Sequence, residues 1–93
     1  MIKYKITIEK VKTAYKITEK ALNIAKKSIS KGKENQAAEI IEMVSCYLTD
    51  SRHFEKIGDL INSFGAIYYA HGWLDCGARL KILDVNDDKL FTI

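Results

Sequence analysis

The sequence predicts an all-α protein, an up-and-down three-helix bundle with a short apolar C-terminal tail. Apolar residues recur at helical spacing over three segments, each of about twenty residues or more. Proline is absent and glycine occurs only five times in 93 residues, so few points force a turn and long elements are favoured. Gly58-Asp59 sets a helix stop against a helix start, and so short a connection makes the flanking helices antiparallel neighbours.

With 47% hydrophobic and 29% charged residues, the chain reads as one globular domain, 1–93, long enough to bury a core without staples. No apolar run approaches the length of a membrane span. The N-terminus opens on Ile2-Lys3-Tyr4-Lys5 rather than an apolar signal core, so a cytoplasmic protein with no membrane partner is expected. Cys46 and Cys76 lack CxxC spacing, and with His53 and His71 they supply too few ligands for a metal. Two reduced thiols, no metal and no cofactor are expected. Charge is uneven: residues 1–35 carry a balance of +7 and residues 36–93 one of −4, which together make the net +3. A basic first third can mark an anion-facing surface.

The first helix is expected over about 5–30. Its seam is Ile8, Val11, Tyr15, Thr18, Leu22, Ala25 and Ile29, widened by Ala14, Ile17, Ala21 and Ile24 into the broad stripe of a bundle helix. Ile2, Tyr4, Ile6 and Ile8 alternate with polar residues in the period of a strand, so the first few residues are expected to be extended. Gly32 suits the left-handed position after the helix, and nearby lysines complement its dipole. The second helix, about 34–57, carries the seam Ala37, Ile40, Val44, Tyr47, Ser51 and Phe54, with Ile41 and Leu48 alongside. The hairpin register sets Cys46 near Ala70, His71 near Tyr47 and Cys76 near Ile40 or Ile41, which separates the two cysteines along the helices. The third helix, about 60–83, ends in the Asp84-Val85-Asn86-Asp87-Asp88 cluster. Leu90, Phe91 and Ile93 form the tail.

Gly58-Asp59, the segment Tyr69-Ala70-His71-Gly72-Trp73-Leu74-Asp75 and the pair Arg79-Leu80 resemble an archaeal family of small helical proteins, catalogued as domain of unknown function 357. The resemblance covers most of the chain and implies a closed, left-handed three-helix bundle; it brings no activity. The family commonly has alanine in place of Cys76 and glycine where this chain has Lys81.

On the third helix His71, Asp75 and Arg79 fall at successive steps of about 40°, with Tyr68 and Gly72 beside them. As a site, Asp75 orients His71, Arg79 offers an anion-binding fork and Gly72 lets a ligand approach. The plainer reading is surface ion pairing beside a partly buried histidine. Leu60, Phe64, Ile67, Leu74 and Ala78 form one apolar arc of this helix, and Ala66, Tyr69, Trp73, Cys76 and Leu80 another. Both arcs cannot face one three-helix core, so Tyr69, Trp73 and Leu80 are expected to be covered by the tail, through Phe91, or by another chain.

The first helix also carries Lys12, Lys16, Lys20 and Lys27 opposite its seam. They form a candidate polyanion surface without arginines or outward aromatics; as a plain alternative they are a solvated face. No GxGxxG, P-loop, HExxH or GxSxG motif occurs, and no enzymatic activity is expected. The leading expectation is a protein–protein interaction module, as a homodimer or with another protein. The alternative is a nucleic-acid or anion-binding accessory protein, and a third reading is a small-molecule site at His71, Asp75 and Arg79.

Overall fold

The computed structural model describes residues 5–93; Ile2 and Tyr4 of the alternating N-terminal pattern lie outside the described residues. Three helices follow in chain order: α1 (Ile8–Lys26), α2 (Glu34–Lys56) and α3 (Leu60–Arg79). All three pack on one another as a three-helix bundle. The α2–α3 hairpin is the most extensive contact, and α1 touches α3 more than α2.

The first helix is shorter than expected at both ends. Thr7 is extended (φ −98°, ψ 158°) and its hydroxyl accepts from the Lys10 amide at 3.2 Å, an N-cap that starts the helix at Ile8. At the other end the Ser28 hydroxyl donates to the Ile24 carbonyl at 2.8 Å. Residues beyond it are taken up elsewhere. Ile29 forms an isolated antiparallel bridge with Leu83, flanked by Ser30 N to Ile82 O at 3.0 Å and Asp84 N to Ser28 O at 2.6 Å. Gly32 has the left-handed φ of +86°, within the turn closed by Lys33 N to Ser30 O, rather than next to the helix end.

The α2–α3 connection follows the chemistry of Gly58-Asp59. Gly58 takes φ +81°, Asp59 N reaches back to Phe54 O and Gly58 N to Glu55 O, a Schellman stop. The Asp59 carboxylate then accepts from Asn62 N at 3.1 Å and starts α3. The hairpin holds the expected register. The rings of Tyr47 and Tyr69 meet with centroids 4.6 Å apart, and Ile40 packs against Gly77.

The third helix stops four residues earlier than expected. Lys81, at φ +61°, serves as the left-handed residue, with Ile82 N bonded to Gly77 O and Lys81 N to Ala78 O. The lysine here holds a backbone conformation that glycine would take without strain.

The core consists of Val11, Ala21, Leu22 and Ala25 of α1, Ala37, Ile40, Val44 and Leu48 of α2, and Ile67, Ala70, Leu74 and Ala78 of α3, closed by Leu83 and Phe91. Ile8, Ile17 and Ile29, counted in the expected first stripe, are exposed. The first apolar arc of α3 thus leads into the core. Ser51 and Ser63, both buried, bond to each other across the hairpin, and the Ser63 hydroxyl also lies 2.8 Å from the Ser51 carbonyl. Cys46 and Cys76 are free and exposed. Among the described residues no helix is long and apolar enough to cross a membrane, and no group of three or more His, Cys, Asp or Glu gathers to hold a metal.

Candidate functional site

The polar stripe of α3 is occupied by the chain's own tail. After Leu83 the chain runs outward to Asp87, which turns it back. The Asp87 carboxylate accepts from Lys89 N and Leu90 N, and its carbonyl from Phe91 N. The following residues lie along the line of His71, Asp75 and Arg79. His71 Nε2 is 2.6 Å from the Leu90 carbonyl oxygen, Thr92 N donates to Asp75 Oδ1 at 2.9 Å, and Arg79 Nη1 reaches Ile93 O at 3.5 Å. Successive residues of the i, i+4 stripe, one helical turn apart, thus hold Leu90, Thr92 and Ile93 in chain order. Between them Phe91 enters the core, 3% exposed.

The tautomer of His71 follows from its partners. A carbonyl oxygen only accepts, so Nε2 carries the proton toward Leu90, and Nδ1 accepts from the buried Thr18 hydroxyl at 2.9 Å. His71 thereby ties α3 to α1 and to the tail, with Asp75 Oδ1 3.7 Å from Nε2. Tyr68, placed beside this stripe on the helical wheel, is not drawn into the clamp. It is 61% exposed and meets Phe64 edge to face, lining an open hollow of about 310 Å³ with Lys10, Thr13 and Ile17.

The expected cover for the second arc does not come from the tail. Phe91 is a core residue of its own chain, and Tyr69 and Leu80 remain 56% and 62% exposed. The tail is held instead on the flank that His71 and Asp75 present, away from these two residues. Trp73 is half-buried against the core. With Ile61 at 74% and Tyr68 at 61%, the outward side of α3 presents large apolar side chains around exposed Gly65 and Gly72.

Lys12, Lys16, Lys20 and Lys27 are all exposed on α1. Lys12 and Lys16 line a cleft of about 290 Å³ with Tyr15, Glu19, Arg52 and Glu55. The Arg52 guanidinium lies over the Tyr15 ring, 4.2 Å from its centroid, and the pairing with Tyr15 raises its pKa further. Sequence reading missed Arg52 because it belongs to α2 and meets the lysine face only across the fold. It also missed a second hollow, of about 470 Å³, between α2 and α3, lined by Tyr47, Asp50, Phe54, Asn62, Gly65 and Tyr69. The signal was present: the hairpin register sets Tyr47 opposite residues 69–71. Partial burial, Tyr69 and the nearby Asp50 carboxylate raise the pKa of Tyr47, in that order.

A family model described as Protein of unknown function (DUF357) matches residues 8–83, from the first residue of α1 to the bridge residue Leu83. No curated protein and no solved structure matches the chain.

Proposed function

The chain belongs to this family of proteins of unknown function, DUF357, and we propose that it acts as a protein–protein interaction module docking through the outward face of α3. The observation that carries this reading is the exposure of Ile61, Tyr68, Tyr69 and Leu80 on one helix whose opposite side already fills the core. Large apolar and aromatic groups gathered around two glycines leave a helix surface that another helix or segment can approach closely. Full burial of such a side chain from water is worth roughly 1.5–3 kcal/mol, and an interface would recover the share that their remaining exposure leaves.

Affinity purification from the native host, run in parallel on wild type and on a Tyr69→Glu, Leu80→Glu double variant, tests the proposal; light scattering over a concentration series reads self-association. A partner, or a second copy, that is lost in the double variant is the expected result. Identical recovered proteins and identical mass for the two chains would remove the α3 face from consideration.

A second reading, binding of nucleic acid or another polyanion through α1, is supported by the unpaired state of the bases. Among the described residues the only side-chain ion pair within 4.0 Å is His71–Asp75, so Lys12, Lys16 and Arg52 have no carboxylate that close. Retention on a polyanion column that weakens with salt and is lost on changing Lys12, Lys16 and Lys20 to Gln would favour it.

A further inference from the structure

We infer that the open groove between α2 and α3, walled by Tyr47, Tyr69 and Phe54 and edged by Asp50 and Asn62, is a subsite for a lysine or arginine side chain of the protein that docks on α3. The inference rests on the docking reading above and adds the chemistry of the occupant.

The walls are aromatic. Tyr47 and Tyr69 meet edge to face, 71° between planes, and both line the hollow. Phe54 stands two turns further along α2 and lines the same hollow. Its floor is low, because Gly65 carries no side chain and a Cβ built there would meet nothing within 4 Å.

The polar edge is rich in acceptors. Asp50 is exposed, and among the described residues no side chain donates to its carboxylate and none pairs with it within 4.0 Å. The Asn62 amide nitrogen donates to Asp59 Oδ2 at 2.6 Å, which leaves its carbonyl oxygen as a free acceptor. No lysine or arginine lines the groove. An anion would meet Asp50, and an apolar side chain would make no use of either acceptor. A cation satisfies them while lying over a tyrosine face, the arrangement that cation–π attraction rewards. The charge balance agrees: residues 36–93, which form both walls, carry −4.

Titration of the isolated ¹⁵N-labelled chain with Nα-acetylarginine amide, against its neutral isostere Nα-acetylcitrulline amide, reads the groove directly. Saturable amide shifts at Tyr47, Gly65 and Tyr69 are expected with the arginine probe, weakened about five-fold or more with citrulline and in Asp50→Asn. Absence of saturable shifts at these residues, or equal binding of the two probes, would overturn the inference. Because the probe is small and no partner is present, this result is independent of the affinity purification, and either can fail without the other.

Discussion

His71 and Leu90, nineteen positions apart, are joined by a 2.6 Å hydrogen bond from the imidazole Nε2 to the backbone carbonyl. The bond converts a stripe that reads as a binding site into a clamp for the chain's own tail. Its other ring nitrogen is satisfied by Thr18, so one imidazole links three parts of the molecule. Phe91, the next residue, supplies the apolar anchor.

Phe91→Ala should therefore destabilise the bundle by about 3 kcal/mol or more, as truncating a buried phenylalanine does. Leu80→Ala, at a 62% exposed position, should change the stability of the monomer by no more than about 0.5 kcal/mol. Urea denaturation of the two variants checks the contrast. Equal effects would mean that the tail does not contribute to the core.

The buried serine pair predicts an asymmetry. The Ser63 hydroxyl donates to the Ser51 carbonyl at 2.8 Å, so the Ser51 hydroxyl donates to Ser63 Oγ at 3.1 Å. Ser63→Ala strands a buried donor and should cost about 1–3 kcal/mol, whereas Ser51→Ala leaves only an unused lone pair and should cost less. Denaturation of each single variant and of the double variant measures the difference.

Lys81 holds the left-handed position that ends α3, at φ +61°. Lys81→Gly should stabilise the protein by roughly 1 kcal/mol by removing the Cβ penalty, and the β-branched Lys81→Val should destabilise it. Thermal unfolding reads both. A lower midpoint for the glycine variant would contradict the assignment of this residue as the helix stop.

Two glycines of α3 should respond in opposite ways. Around Gly72 a Cβ would meet nothing within 4 Å, so Gly72→Ala should gain about 0.5–1 kcal/mol of helix stability. At Gly77 the same Cβ would lie 2.9 Å from Ile40 Cδ1 and 3.0 Å from Leu83 Cδ1, both on buried side chains, which cancels or reverses the gain. If Gly72 also lies under a docked partner, its alanine variant should weaken that association while stabilising the monomer.

The sequence by itself determined three helices, the Gly58-Asp59 turn and the register across it. Those depend on local chemistry: a 3.6-residue period, a left-handed glycine, an aspartate cap, and a connection too short to allow any other pairing. Tyr47 against Tyr69 and Ile40 against Gly77 follow from that register. Only the tertiary structure decided where α1 and α3 end, since Ile29 leaves the helical pattern to pair with Leu83 and Lys81 takes the left-handed conformation. It alone showed that the tail runs back along His71 and Asp75, because a reversal at Asp87 has no periodic signature. It also brought Arg52 over Tyr15. The Ile29–Leu83, His71–Leu90, Asp75–Thr92 and Arg52–Tyr15 contacts join segments distant in sequence, and such contacts depend on how the elements pack, while propensity and pattern act only within a turn or two of the chain.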